Sequence, residues 1–340
     1  MTILKTVNFA FRVFLRRPLF KNYYSSFIRY ALMKYGLIRD KNILVTCFDG
    51  TEMHVNSHVF SSIIHLYVDN IVAGIDCLSG TVIAINDSLI PIDEFAFNGS
   101  TAGEALRRGW AYDNNGKYWF KNGVKFKHMY WLIIETFDLG QYSFADVSGR
   151  VVVDIGAFVG DSAIYFALKG ARKVYAVEPH PGAYAEMLEN IKLNNMESKV
   201  VPINAALGSK SGRIKIPNVD INTTGGTYHG LSNNGDVEVP MITLNQLIND
   251  YGIEPDILKM DCEGCEFDVI LNDYKHVRRF NELFFEYHSY AVNGNMVKLI
   301  SMLKRDFECK SINDDFYKNY FKDYTKDELG MLHCIKSSFK

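Results

Sequence analysis

The second half of this 340-residue chain predicts an α/β domain with a doubly wound, Rossmann-like parallel sheet. Three observations support that fold. Short buried strands alternate with helical stretches after Arg150, and a glycine-containing loop follows the first apolar strand, Val151–Ile155. An amphipathic helix opens at Pro181, in the first-turn position that proline favours. The preceding residues lack this alternation of strands and helices, and they predict a helical and β-rich extension.

Residues 1–38 predict an amphipathic helical segment broken near Pro18. Apolar residues recur there at helical spacing, with basic residues among them. We expect this face to pack on its own domain or a partner subunit, with peripheral membrane contact as the alternative. Arg12 interrupts the apolar stretch that a secretory signal needs, and no apolar run is long enough to predict a membrane span.

Residues 39–130 predict a β-rich accessory region, with a hairpin turn at Asp49-Gly50. The apolar, β-branched stretch Trp131–Thr136 that follows is also typical of a strand. The expected strands of the accessory region are Ile43–Phe48, Thr51–Val55, Ile63–Val68 and Gly80–Ile85.

Residues 131–340 form the predicted catalytic domain, in which Thr243 and Gln246 match a helix-capping box. The segment Asn218–Asp236 is rich in turn-forming residues and predicts either a mobile loop over the active site or a plain insertion. The expected strands after the first are Lys173–Val177, Val200–Asn204, Ile257–Met260, Glu282–Tyr287 and Met331–Ile335.

The overall composition is that of a globular protein, with 48% hydrophobic and 22% charged residues. A net charge of −2 argues against electrostatic binding of nucleic acid. The six cysteines do not resemble a disulfide framework, so reduced thiols and a cytoplasmic location are expected, with possible membrane association and homo-oligomerisation.

The loop Asp154-Ile-Gly-Ala-Phe-Val-Gly-Asp-Ser162 predicts a cofactor site at the carboxyl end of a strand. A dinucleotide would need a second glycine where Phe158 stands, and its pyrophosphate would be repelled by Asp161. S-adenosylmethionine (SAM) carries an ammonium group that Asp154 or Asp161 could attract. These residues therefore favour SAM, with a nicotinamide cofactor as the alternative.

A second acidic position, Glu178, closes the next strand 22 residues after Gly156, counted as 178 − 156. An acidic residue at about this separation binds ribose hydroxyls in nucleotide-binding units. The structural alternative is that Glu178 caps the helix beginning at Pro181.

Two further segments supply candidate catalytic groups. Asp261 ends the strand Ile257–Met260 and is followed by Glu263 and Glu266, which we expect in a first helical turn. Glu286 and His288 share one side of the next strand, and His288 is a candidate general base or a structural histidine. Cys262 and Cys265 lack the further ligands of a zinc site, so no metal site is expected.

These motifs, in this order, resemble the FkbM-type methyltransferases, a branch of the class I SAM-dependent methyltransferases. The segment Lys259-Met-Asp-Cys-Glu-Gly-Cys-Glu266 is the most specific part, and the resemblance covers about residues 135–335. It implies a seven-stranded sheet whose last strand is antiparallel, and O-methylation of a hydroxyl on a sugar, glycan or small metabolite. The alternatives are an NAD(P)-dependent oxidoreductase and a SAM-binding protein without turnover.

The resemblance also implies roles for individual residues. Asp261, Glu263 and His288 would face the acceptor, and Phe158 departs from the glycine found in many class I enzymes. The residues expected to line SAM are Asp154, Gly156, Ala157, Phe158, Gly160, Asp161, Ser162, Glu178, Pro179, Asn204 and Ala205.

Overall fold

The computed structural model describes residues 2–217, 221, 235–292 and 294–337. They divide into two compact units, Met1–Trp131 and Leu132–Lys340. The predicted loop Asn218–Asp236 lies almost wholly outside the described residues. Among the residues described, no helix is long and apolar enough to cross a membrane.

The first unit begins with two helices, α1 (Thr2–Leu15) and α2 (Tyr23–Lys34), so the predicted break near Pro18 is confirmed. Its other helices are α3 (Ser57–Val68) and α4 (Glu94–Arg107). Its strands form three small antiparallel sheets: β1 (Asn42–Thr46) and β2 (Glu52–Asn56); β3 (Val72–Asp76), β4 (Thr81–Ala84) and β5 (Leu89–Pro91); β6 (Ala111–Asp113), β7 (Tyr118–Lys121) and β8 (Val124–Phe126).

Helix α1 packs on α3 inside this unit. The ring of Phe9 stacks on His65 with centroids 3.9 Å apart, and the Arg12 guanidinium donates to the carbonyl oxygen of Val68 at 3.1 Å. These contacts agree with the expected packing of the amphipathic segment on its own domain. Membrane contact through residues 1–38 stays a prediction.

Two predicted strands are helical in the structure. Ile63–Val68 belongs to α3, whose start is fixed by Asn56, because its side chain accepts from the amide of His58. Trp131–Thr136 lies in α5 (Trp131–Phe137). Short apolar runs fit a buried helix as well as a strand, and their tertiary surroundings decide between the two.

The second unit contains the predicted seven-stranded sheet. From edge to edge its order is β11 (Val200–Ile203), β10 (Lys173–Val177), β9 (Val151–Ile155), β15 (Ile257–Met260), β16 (Glu282–His288), β18 (Leu329–Lys336) and β17 (Phe307–Ile312). Strand β18 runs antiparallel to both neighbours, as the resemblance implied. The edge strand β17 was not predicted. A small second sheet holds β12 (Ala206–Leu207), β13 (Gly212–Ile216) and β14 (Val237–Ile242).

Apolar clusters cover both faces of the large sheet. Alternate residues of β9 divide between them, with Val152 in one cluster and Val153 in the other. The capping box at Thr243 is present as predicted. The helices of this unit after α5 are α6 (Asp161–Leu168), α7 (Pro181–Leu193), α8 (Leu244–Asp250), α9 (Cys265–Asn272), α10 (Tyr274–Val277), α11 (Ser289–Val292), α12 (Met296–Leu303) and α13 (Asp314–Tyr320).

The expectation of reduced thiols is wrong, because the structure joins the six cysteines in three disulfides. Cys309 and Cys334 are directly opposed across β17 and β18, which the sequence separation of 25 residues did not reveal. The other pairs are Cys47–Cys77 and Cys262–Cys265.

An ion-pair network fixes the amino ends of the central strands. Arg150, at the start of β9, donates to Asp256 Oδ1 at 2.7 Å and pairs with Glu282 at the start of β16. The Arg150 side chain is only 19% exposed, so these contacts are shielded from water.

We expect Arg150→Leu to lower the free energy of unfolding by about 3 kcal/mol, because it removes the guanidinium that two shielded carboxylates share. Arg172→Leu is the matched control: Arg172 pairs with Glu254 where both side chains are more than half exposed, and should cost under about 1 kcal/mol. Urea denaturation measures both. Equal losses would show that the Arg150 network does not stabilise the sheet.

Candidate active site

A buried ion pair joins the first two predicted site segments. Asp154 of β9 and Lys259 of β15 are direct partners in the register of the sheet. The Lys259 ammonium lies 2.9 Å from Asp154 Oδ1, and both side chains are at most 2% exposed. Asp154 and Asp261 outweigh the effect of burial and raise the pKa of Lys259. Asp154 is therefore neutralised inside the protein.

The same ammonium reaches the cofactor loop and the catalytic segment. Lys259 donates to the carbonyl oxygen of Gly156 at 2.9 Å and lies 4.0 Å from Asp261 Oδ2. A Cβ added at Gly156 would sit 1.7 Å from the carbonyl oxygen of Asp261. Gly156 also has φ of +75°, so both the close contact and the backbone conformation require glycine at this position.

Glu178 is held at the carboxyl end of β10 by backbone amides. Its Oε2 accepts from the amide of Phe158 at 2.9 Å, and its Oε1 accepts from the amide of His180 at 2.7 Å. A carboxylate oxygen can accept more than one hydrogen bond. Phe158 has φ of +45°, an unusual conformation for an aromatic residue, and the hydrogen bond that its backbone amide donates to Glu178 helps to hold that turn.

The remaining residues expected to line the cofactor have local structural contacts. Asn204 donates from its side chain to the carbonyl oxygens of Glu178 and Pro179, at 2.9 and 3.1 Å. It therefore positions the turn that carries Glu178. Ala157 and Ala205 are buried in the two apolar clusters of the sheet. Direct contact of these residues with a cofactor stays a prediction.

Asp161 and Ser162 begin α6, which follows Gly160. The Thr136 hydroxyl donates to Asp161 Oδ2 at 2.8 Å, and the Ser162 hydroxyl donates to Asp154 Oδ2 at 2.7 Å. Burial raises the pKa of Asp161 to about 6, although Lys259 and Thr136 act in the opposite direction. Asp161 is thus a buried carboxylate that a ligand cation would stabilise.

The donor set of this loop fits SAM. Glu178 offers carboxylate oxygens to ribose hydroxyls, and Asp161 offers a negative charge to an ammonium group. Lys259 is already paired with Asp154, so it does not present a free cation to a pyrophosphate. The structure therefore agrees with the electrostatic argument made from the sequence.

The predicted catalytic residues meet at the carboxyl ends of β15 and β16. His288 Nε2 lies 3.9 Å from Asp261 Oδ1 and 3.7 Å from Glu263 Oε2, while its Nδ1 lies 3.4 Å from Glu266 Oε1. Glu286 is on the same face of β16 as His288, as predicted, and accepts from Gln141 at 3.3 Å. We call Asp261, Glu263, Glu266, Glu286 and His288 the acidic cluster.

Glu266 organises the loop that bears Asp261. Its two carboxylate oxygens accept from the amides of Cys262 and Gly264, both at 2.9 Å. This is the structural role expected for an acid in a first helical turn. The same expectation is wrong for Glu263, which precedes α9 with φ of +54°, because Gly264 forms the cap of that helix.

Electrostatics make His288 a cation in this arrangement. Burial disfavours its charged form, but Glu266, Glu263 and Glu286 outweigh that effect and raise the pKa of His288 well above its usual value. Burial and the charge of Asp261 raise the pKa of Glu286 well above the usual value for a carboxyl group. A protonated imidazole cannot accept a proton, so in this state Asp261 is the better candidate base.

Sequence reasoning missed three contributors to the site: Lys259, Thr136 and Glu286. Lys259 could have been recognised from the sequence, because a lysine and an aspartate inside two otherwise apolar strands each need a buried partner of opposite charge. Glu286 was placed beside His288 but given no role. Thr136 could not have been recognised from the sequence, because its partner Asp161 is 25 residues away along the chain.

The sequence of this domain matches a known family. Residues 154–309 match the model of the methyltransferase FkbM domain. The chain contains an FkbM methyltransferase domain. The predictions of this family, of the class I sheet and of SAM as the cofactor are confirmed, and the nicotinamide alternative is not favoured.

Three of the proteins to which this chain is similar match different lengths of it. Hexuronic acid methyltransferase AglP of Haloferax volcanii is 26% identical over 166 residues, which are 48% of this chain and 67% of that protein. Ribosomal protein L11 methyltransferase of Carboxydothermus hydrogenoformans is 46% identical over 55 residues, 16% of this chain and 18% of that protein. The crystal structure of methyltransferase FkbM from Methylobacillus flagellatus KT has 14% identity and a TM-score of 0.40, covering 60% of this chain and 47% of that one.

We expect Gly156→Ala to displace the cofactor loop from the Asp261 segment, because the new Cβ would collide with a backbone oxygen. Gly252→Ala is the control: its φ is +59°, and a Cβ there meets nothing within 4 Å. The control should cost about 1 kcal/mol of unfolding free energy, and Gly156→Ala about 2 kcal/mol more. Chemical denaturation with equal losses would contradict the close packing of the two loops.

Stability should also depend on the ionisation of Asp161. The pKa of this carboxyl is about 6 in the folded protein and about 3.8, the ordinary value for aspartate, in the unfolded chain. Its ionisation therefore costs stability as pH rises through this window. Asp161→Asn should raise the unfolding free energy by on the order of 2 kcal/mol at pH 7.5 and by much less at pH 4.5. The exposed Asp250→Asn is the control, and a gain independent of pH would contradict the assignment.

Proposed function

We propose that this chain transfers the methyl group of SAM to a hydroxyl group of a sugar. The observation that carries the proposal is the convergence of Asp261 and His288 beside Gly156, within the unit that contains the cofactor loop. In this family setting the methyl donor is SAM, whose sulfonium makes the methyl group electrophilic. The relative from Haloferax volcanii, named for hexuronic acid methylation, supports a sugar acceptor.

The acidic cluster supports a hydroxyl rather than a carboxylate as the acceptor group. Sugar hydroxyls donate hydrogen bonds to carboxylates, whereas an acceptor carboxylate would be repelled by Asp261 and Glu263. The cluster is partly open to solvent, because the side chains of Asp261 and Glu263 are 15% and 19% exposed. These two residues are therefore placed to meet an acceptor that enters from outside.

The chemical step needs alignment and the removal of one proton. The acceptor oxygen forms a bond to the methyl carbon while the carbon–sulfur bond breaks. The electron pair of the broken bond stays on sulfur. The hydroxyl proton passes to Asp261 in this proposal. Lys259 keeps Asp261 beside the cofactor loop, and Glu178 would hold the ribose of SAM.

The activity is tested with the full chain, methyl-labelled SAM and a panel of neutral hexosides and hexuronic acids. We expect label in a neutral sugar as a methyl ether, which is stable to mild alkali. Alkali-labile label restricted to hexuronic acids would identify a methyl ester and overturn the hydroxyl assignment. Label in no sugar would reject the proposed acceptor class.

Two substitutions should separate cofactor binding from turnover. Asp261→Asn should lower kcat about 100-fold and leave the SAM Kd within about twofold, because it removes a proton acceptor. Glu178→Gln should raise the SAM Kd at least about tenfold, because it weakens hydrogen bonds to a charged group. Glu197→Gln changes an exposed carboxylate of the same domain and should alter neither constant.

Calorimetry gives the Kd, and initial rates give kcat. If Asp261→Asn weakened SAM binding by the same factor as it lowered kcat, Asp261 would bind the cofactor rather than act on the acceptor.

A further inference from the structure

Three side chains of the acidic cluster surround a common point. Asp261, Glu286 and His288 each direct one donor atom inward, and these atoms all lie within 4.8 Å of one another. Asp261 follows β15, and the other two belong to the neighbouring β16, so the sheet itself brings them together. Two carboxylate oxygens and one imidazole nitrogen form a donor set that divalent metal ions accept.

The ring of His288 is oriented toward this point from behind. Its Nδ1 faces Glu266, which is itself fixed by two backbone amides. A carboxylate behind the ring is the arrangement that orients histidines bound to metals. Glu266 would therefore position His288 without binding the ion.

The other nitrogen of His288 points into the gap without a close partner. Nε2 lies 3.9 Å from Asp261 Oδ1 and 3.7 Å from Glu263 Oε2, both beyond hydrogen-bonding distance. The side chain is only 4% exposed. A ligand in the gap would therefore lie beside this nitrogen.

The charge of the cluster also favours a cation. Four carboxylates, those of Asp261, Glu263, Glu266 and Glu286, lie around His288. The nearby ammonium of Lys259 is 4.0 Å from Asp261 Oδ2 but is held more closely by Asp154 and by the Gly156 carbonyl, both at 2.9 Å. A divalent ion in the gap would interact favourably with the carboxylates that face it.

We propose that Asp261, Glu286 and His288 bind one divalent metal ion, through a carboxylate oxygen from each acid and Nε2 of the histidine. The ion displaces the protons that Glu286 and His288 carry in its absence, and these protons pass to solvent. Neighbouring ligands of a first-row ion lie roughly 3 Å apart, so binding draws the three side chains inward. Three protein ligands leave coordination positions open. The open positions would take the acceptor's hydroxyl oxygen; this second statement rests on the proposed function, whereas ion binding does not.

Mn²⁺ is the probe, because its paramagnetism reports both binding and the nature of its ligands. The full chain is treated with a chelator and titrated with Mn²⁺ without SAM or sugar, and free Mn²⁺ is followed by electron paramagnetic resonance. We expect one bound ion per chain. Asp261→Asn and Glu286→Gln should each weaken binding at least about tenfold, whereas Glu254→Gln, with a side chain 76% exposed, should not.

A second measurement identifies the histidine ligand. Pulsed electron paramagnetic resonance of the bound Mn²⁺ should show coupling to a nitrogen nucleus, and ¹⁵N-labelling of histidine in the unaltered chain should change that coupling. His288→Gln should abolish it. The labelled chain decides the point even if that variant does not fold.

Absence of stoichiometric Mn²⁺ binding would overturn the proposal. So would unchanged affinity in folded Glu286→Gln, or bound Mn²⁺ without histidine coupling. Thermal unfolding establishes that the variant is folded, and the substitution keeps the shape of the side chain. Because the assay contains no methyl donor or acceptor, failure to methylate a sugar leaves its outcome unaffected.

Discussion

The ion pair between Asp154 and Lys259 is the interaction on which the rest of the site depends. Both groups are buried, and removal of one partner from such a pair costs on the order of 3–5 kcal/mol. Lys259 also binds the carbonyl oxygen of Gly156, so it ties the cofactor loop to the strand that ends at Asp261. A single ammonium thereby joins the loop expected to bind the cofactor to the segment that carries Asp261.

The two ends of the central strands use charge in opposite ways. At the amino ends, Arg150 is matched by Asp256 and Glu282, and these groups stabilise the sheet. At the carboxyl ends, the carboxylates of the acidic cluster exceed the cations that face them. Such an imbalance is unfavourable for folding and is typical of sites that bind cations or move protons.

Much of the fold could be predicted because burial leaves a local pattern. The strand Val151–Ile155 is apolar except for Asp154, Pro181 starts a helix, and Thr243 caps another, and all three are present. Ile63–Val68 was predicted as a strand because a short apolar run carries no period of its own. The disulfide Cys309–Cys334 could not be predicted, since pairing depends on the register of β17 against β18.

The sequence alone determined the class of fold, the cofactor loop and the methyltransferase family, because glycine spacing, acidic positions and strand alternation are local properties of the chain. Only the tertiary structure decided which charges are neutralised and which are not. Strand register sets Lys259 against Asp154, and strand order brings Glu286 and His288 beside Asp261. Electrostatic energy depends on distance and burial, and neither is written in the order of residues.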